Sequence, residues 1–336
     1  MTLAPLAEYL DTWAGADALR RSVAATVREI AAASVEIASL VADGPLAGDL
    51  AAGVTENVQG EVQKVLDARS DALIEEACRR APVAAFASEE QEDAVLLNPA
   101  APLLVAADPL DGSSNIDTNV SIGTIFSILA APAGLSTGAI GANDAFLQPG
   151  HRQLAAGYAI YGPQTALALT LGAGTLVFTL DRASGTFKLT VPAAHIQEET
   201  REFAINASNV RHWEGPIRDY VEDLKSGRDG VRGRDFNMRW VASLVAECHR
   251  ILMRGGVFLY PGDRRQGYGQ GRLRLLYEAN PIGLLVEQAG GATSTGDRSV
   301  LDLEPRQLHQ RVPFIFGSRA EVVRIEAHHA DADPAI

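Results

Sequence analysis

The chain has 336 residues, enough for one large or two medium domains with buried cores. Its 47% hydrophobic and 21% charged residues describe a folded chain, and a net charge of −13 argues against general binding to nucleic acid or an anionic membrane. No apolar run approaches the length of a membrane span, the N-terminus lacks a secretory signal pattern, and the two cysteines, Cys78 and Cys248, form no disulfide framework or zinc spacing, so a cytoplasmic protein is expected.

In chain order, apolar residues recur at helical spacing over 23–40 and again over 61–80. Short apolar runs at 83–87, 94–97, 102–107 and 122–129 predict strands, the third continuous enough to be buried on both faces. Four runs between 155 and 191, separated by Gly-Pro, Gly-Ala-Gly and Ser-Gly signals, predict an antiparallel meander. The polar connector 192–199 is the expected domain boundary, dividing the chain into units 1–198 and 199–336. Beyond it, strands are expected at 202–206, 256–261 and 312–318, and helices at 215–224, 241–253, 278–288 and 319–328. Helices and strands in alternating blocks imply a layered α/β fold with two sheets.

Charge is distributed unevenly. From 81 to 151 there is no Lys or Arg, while Glu89, Glu90, Glu92, Asp93, Asp108, Asp111, Asp117 and Asp144 all fall there. From Arg228 to Arg274 arginines predominate, facing only Asp229, Asp235, Glu247 and Asp263. Clustered like charges cost energy unless solvent or counter-ions compensate. Two solvated faces would satisfy this pattern; so would a carboxylate pocket for divalent cations beside an arginine pocket for an anion.

The local sequence favours the pockets. A buried apolar strand delivers Asp108, and Pro109 is expected to end its pairing because it has no N–H. Asp111 follows beside Gly112, and Ser113, Ser114 and Asn115 add hydroxyls, an amide and backbone N–H groups. A helical turn starting there would make an anion site. Two carboxylates and a carbonyl beside a phosphate cradle suit Mg²⁺ bridging a phosphoryl oxygen, whereas a bare Asp-Gly turn would be commonplace.

The run DPLDGSSNIDTNVSIGTIFSI resembles the signature of class I fructose-1,6-bisphosphatases, within the lithium-sensitive, Mg²⁺-dependent sugar-phosphate phosphatases. The blocks NVQGEVQKVLD, ASEEQED, GGVFLYP, RLRLLYEANP, EQAGGATSTG and LHQRVPFIFGS resemble that family in the expected order. The resemblance implies an αβαβα five-layer sandwich, usually a homotetramer. It further implies hydrolysis of the 1-phosphate of fructose 1,6-bisphosphate, in gluconeogenesis or carbon fixation.

Carried over by position, the resemblance makes Glu89, Asp108, the Leu110 carbonyl, Asp111 and Glu278 metal ligands. This all-oxygen set suits Mg²⁺, with Mn²⁺ as a substitute. Glu90 and Asp67 correspond to the pair that activates water, and Glu61 to a supporting aspartate, one methylene longer here. Asp111, Gly112, Ser113 and Ser114 would hold the 1-phosphate. Asn206, Tyr260 and Arg239 correspond to residues around the 6-phosphate, with Arg239 reaching from a neighbouring subunit. Arg272 stands where lysine is usual, Trp240 where tyrosine is common, and Arg265 lies in a slightly longer loop, 261–271. These departures cluster at the sugar and second phosphate, which leaves sedoheptulose 1,7-bisphosphate open as the main or a second substrate. An inositol or sugar monophosphate and a catalytically dead sugar-phosphate sensor are the competing readings. No AMP-site match or redox insertion is evident.

Overall fold

The computed structural model describes residues 3–56 and 62–332. Helices α1 (Leu6–Ala14) and α2 (Ala18–Asp43) lead into a hairpin of β1 (Gly53–Glu56) and β2 (Val62–Lys64), then α3 (Val65–Arg80). Next come β3 (Val83–Ser88), β4 (Val95–Leu96), β5 (Leu103–Asp111), β6 (Ile122–Ala130), the short α4 (Ala142–Ala145), β7 (Ala155–Tyr161), β8 (Thr165–Thr170), β9 (Thr175–Asp181) and β10 (Thr186–Ala194). The remainder comprises β11 (Glu202–Ile205), α5 (Gly215–Ser226), β12 (Asn237–Met238), α6 (Leu244–Arg254), β13 (Val257–Tyr260), β14 (Leu273–Arg274), α7 (Asn280–Gln288), β15 (Ala292–Ser294), β16 (Arg311–Val312), β17 (Phe314–Gly317) and α8 (Arg319–Ala332).

Two sheets organise the molecule. The larger has strand order β10-β9-β8-β7-β6-β5-β3-β4, and only its β3–β5 pair is parallel. The smaller has order β12-β11-β13-β17-β15. Side-chain alternation at a period of two assigns each face. Phe126 and Ile128 of β6 join the core under α1, α2 and α3, whereas Ile125 faces α6, α7 and the smaller sheet. On β13, Phe258 faces inward to that shared layer, while Val257 and Leu259 pack under α5 and α8. The layers are therefore helix, sheet, helix, sheet, helix, the five-layer sandwich implied by the resemblance.

Several expectations shift. The 61–80 segment is helical only from Val65, because Val62–Lys64 pairs with β1. The helix α1 was not anticipated. Pro109 does not end β5: pairing lapses between Asp108↔Ile125 and Asp111↔Gly123, then resumes across the irregularity. The Pro109 carbonyl freed there accepts the Thr124 hydroxyl at 2.8 Å. Instead of a single helix at 278–288, a π-turn at Leu275–Ala279 runs into α7. Helix α2 is long and apolar enough to match a membrane span by length and composition, although no uninterrupted apolar run marks it in the sequence. Its Val23, Val27, Ile30 and Ile37 lie in the core beneath the larger sheet, and its Glu29 bonds Arg80 of α3 at 2.8 Å.

Candidate active site

The site begins where two parallel strands end. Ser88 and Ala107 are paired neighbours on β3 and β5, and the Glu89 N–H bonds the Ala107 carbonyl at 3.0 Å. Glu89, just past β3, and Asp108, still within β5 but past its last parallel pair with β3, thus lie side by side where the parallel pairing ends, the kind of place where open α/β sheets bind ligands. Glu278 arrives from the other half of the chain on the π-turn, a distortion common at functional sites. The carboxylates of Glu89, Asp108 and Glu278 lie with one oxygen each within 4.8 Å of one another, all three residues buried.

Burial raises the pKa of Asp108 and of Glu278 well above the ordinary carboxylate range, and the neighbouring acids raise both further. Arg274 supplies partial compensation: its guanidinium meets Glu89 at 3.1 Å and its backbone N–H meets Glu278 at 2.6 Å. Asp108 is oriented by the Leu110 N–H at 3.0 Å.

Asp111 stands next to this cage but faces the start of α6. It accepts the N–H groups of Leu244 (3.3 Å) and Val245 (2.9 Å) and the Ser243 hydroxyl (3.2 Å). The first-turn N–H groups of a helix lack partners within it, so a carboxylate is a natural cap. Burial still outweighs these bonds and pushes the Asp111 carboxyl up to about 6. The structure assembles a three-carboxylate cage with Asp111 beside it, rather than four equivalent acids.

Gly112 follows with φ +79°, and a Cβ there would come within 3.1 Å of the Ser243 Cβ, so the turn needs glycine on both counts. Ser113–Thr118 forms the expected helical turn, of 3₁₀ type, with Ser114 exposed. Asn115 donates to the carbonyl of Ala242, a left-handed residue (φ +59°) just ahead of the Ser243 cap. The DPLDGSSN turn and the start of α6 are thereby locked together.

Near the same turn, Asp67 sits in the first turn of α3 and accepts the Lys64 N–H at 2.7 Å, while its other oxygen is buried with no hydrogen-bond partner among the described residues. Burial pushes the Asp67 carboxyl up to about 6. Glu90 receives the Gln63 amide at 2.9 Å, so adjacent residues of β2 hold the two candidate water-activating acids. Lys64 Nζ reaches the Ser113 carbonyl at 3.0 Å. Glu61 lies outside the described residues.

A second concavity is lined by Asn206, Asn209, Tyr260, Asp263, Arg265 and Arg272 among others. Arg272 is two residues from Arg274, so their Cα atoms are at most about 7 Å apart. Arg239 and Trp240 do not line the concavity. Arg239 lies half-exposed with Nε 3.5 Å from Glu202, and Trp240 stacks on Phe258 at 5.9 Å and contacts Tyr260 at 6.2 Å. Sequence reasoning gave no role to Arg274 and Asp263, although both lie in the arginine-rich run, and it missed Tyr268, which nothing in the sequence singled out.

Three clustered carboxylates beside a turn of backbone N–H groups and hydroxyls, with the Arg274 guanidinium 3.1 Å from Glu89, suit a hydrolase of phosphate esters. Comparison narrows the class. The family models described as fructose-1-6-bisphosphatase N-terminal and C-terminal domains match residues 14–192 and 196–330. A class 1 fructose-1,6-bisphosphatase of Xanthobacter autotrophicus is 56% identical over 97% of this chain and 87% of its own length. One of Rhodopseudomonas palustris is 54% identical, over 97% and 93%. The crystal structure of Leishmania major fructose-1,6-bisphosphatase in holo form superposes with a TM-score of 0.90 at 32% identity, covering 98% of this chain and 99% of that one; its apo form gives 0.84 at 30% identity, with the same coverage. The chain belongs to the class 1 fructose-1,6-bisphosphatase family. It is a phosphatase, and its reaction is the hydrolysis of fructose 1,6-bisphosphate.

Proposed function

We infer that the 1-phosphate is the group removed, that Mg²⁺ assists, and that the residues above divide the labour. The carrying observation is the convergence of three buried carboxylates whose repulsion Arg274 only partly relieves. Ligand oxygens around Mg²⁺ at ordinary bond lengths lie about 3–4 Å apart. The spacing here, within 4.8 Å, fits such an ion with small adjustments. Glu89, Asp108 and Glu278 would hold it, with Asp111 and the Leu110 carbonyl at the edge of the site; Mn²⁺ suits the same donors. When bound, the cation offsets the carboxylates and the phosphate and stabilises the departing alkoxide.

The remaining work falls to the chain itself. Gly112, Ser113 and Ser114 present backbone N–H groups and hydroxyls to the 1-phosphate, and the clamp on Asp111 keeps that turn fixed. Glu90, oriented by Gln63, takes a proton from water as the water oxygen bonds to phosphorus in line. The bond from phosphorus to the C1 oxygen breaks, and that oxygen gains a proton to give fructose 6-phosphate. Asp67 supports Glu90 through β2. Asn206, Tyr260, Arg265 and Arg272 meet the 6-phosphate and sugar.

The units 1–198 and 199–336 then supply complementary parts: the first brings most of the cage and the phosphate turn, the second Glu278 and the distal pocket. A cytoplasmic homotetramer, with Arg239 directed at a neighbouring copy, is the assembly this reading favours; the half exposure of Arg239 supports it. The test is phosphate release with Mg²⁺ on fructose 1,6-bisphosphate and sedoheptulose 1,7-bisphosphate in parallel. Turnover of the first that vanishes with chelator and with Asp108→Ala supports the reading; turnover indifferent to both overturns it.

A further inference from the structure

The distal pocket holds two guanidinium groups in unequal circumstances. Arg265 is committed: Asp263, itself buried, accepts its backbone N–H and its Nε at 3.0 Å and also pairs with its terminal nitrogen. Among the described residues no carboxylate pairs with Arg272. What Arg272 does have is an aromatic ring, its Cζ lying 4.9 Å from the centroid of Tyr268, which also carries Arg265 at 4.3 Å. A guanidinium within about 6 Å of a ring centroid is attracted to the ring face and loses little of its capacity to donate hydrogen bonds at its edge.

The loop that supplies this ring is rigid for reasons in its backbone. The Tyr268 carbonyl accepts the N–H groups of Asp263 (3.1 Å) and Gly271 (2.9 Å), and the Tyr268 N–H bonds the Arg265 carbonyl at 3.0 Å. Gly271, at φ +75°, passes so close to the next strand that a Cβ would lie 2.3 Å from the Val312 carbonyl oxygen. Arg272 therefore leaves a fixed turn onto β14, with the Tyr268 ring against its side chain.

We propose that Tyr268 is the positioning residue for Arg272: its ring holds that guanidinium at the rim of the pocket, so the 261–271 loop sets affinity for the phosphoryl group remote from the carboxylate cage without taking part in bond cleavage. Arg265, already neutralised by Asp263, offers an incoming dianion less net charge than Arg272 does. This rests on the reading that the pocket takes the distal phosphate.

The experiment is steady-state kinetics of the full chain at saturating Mg²⁺, with fructose 1,6-bisphosphate as substrate and fructose 6-phosphate as competing product. Tyr268→Ala should raise KM and the product inhibition constant by about 3- to 30-fold, the range of a cation–π contact, with kcat within about twofold of the wild type. Tyr268→Phe, which keeps the ring face, should stay within about threefold. Arg272→Ala should raise both constants at least as much, and adding Tyr268→Ala to it should change little further. The proposal is overturned if Tyr268→Ala leaves both constants unchanged while Arg272→Ala raises them, or if the two effects add in full. If Arg272→Ala itself changes neither constant, the distal-phosphate reading fails and the proposal falls with it.

Discussion

The cage and the distal pocket are built by opposite means. Glu89, Asp108 and Glu278 are buried and issue from a strand end, a strand or a helical turn; backbone N–H groups brace Asp108, Asp111 and Glu278, and Arg274 braces Glu89. The pocket relies on half-buried side chains of a Gly-rich loop, where cations are placed by a ring and a single aspartate. Backbone bracing leaves little freedom in chemistry or spacing, whereas side-chain bracing can be rebuilt when loop length changes. The cage should therefore respond to substitution in kcat and the pocket in KM.

The largest effect is expected at the cage. Asp108→Ala should lower kcat by about 10³-fold or more, measured by phosphate release, because it removes a charge the whole site is arranged around. Glu90→Gln should cost about 10²–10⁴-fold in kcat with KM nearly constant, as expected for loss of a proton acceptor. A comparable rise in KM with kcat intact would instead place Glu90 with the pocket.

The contrast can also be sharpened through pH. Asp67, at an ordinary 3.8 when unfolded, is pushed up to about 6 by burial in the folded protein. Between those values the folded state keeps a proton the unfolded chain has lost, so stability falls as pH rises through about 4 to 6, by about 3 kcal/mol for this group. Asp108 and Glu278 shift in the same direction. Carboxylates held low, such as Asp181 at about 2 beside Lys188, have already ionised by that window and do not offset it. Metal-free protein should thus gain more in Tm from Mg²⁺ at pH 7.5 than at pH 5.5, as scanning calorimetry would read. An equal gain at both values would break the link between buried charge and cation.

The smallest effect is expected at the Asp263–Arg265 pair. Because Asp263 and Arg265 neutralise each other, removing both with Asp263→Ala and Arg265→Ala leaves the net charge unchanged and should raise KM for fructose 1,6-bisphosphate by only about two- to fivefold, less than Arg272→Ala.

How far the sequence revealed these regions follows from the same contrast. The Glu89, Asp108 and Asp111 part of the site was legible because a base-free stretch, a buried apolar run and the DPLDG turn lie together along the chain, whereas Glu278, 170 residues beyond Asp108, was reached only through the family resemblance. The four-strand meander was legible for a similar reason, since each strand is flanked by Gly-based turns and pairs with its sequence neighbour. The clamp of Asp111 on α6 was not, because it joins groups more than 130 residues apart. Nor was the continuation of β5 past Pro109, where the Thr124 hydroxyl across the sheet donates to the freed Pro109 carbonyl. The stacking of Trp240 on Phe258 of β13 was not legible either, since no local pattern ties the two residues together. Tyr268 was one aromatic in a polar loop until Arg265 and Arg272 were seen against it.

The most direct measurement is calorimetric titration of Mg²⁺ into the chelator-treated protein and into Glu89→Gln, Asp108→Asn and Glu278→Gln, each of which removes one charge while nearly preserving shape. Wild-type protein should bind, and each variant should bind at least about tenfold more weakly. Equal affinity in all four proteins would contradict a cation held by these three carboxylates.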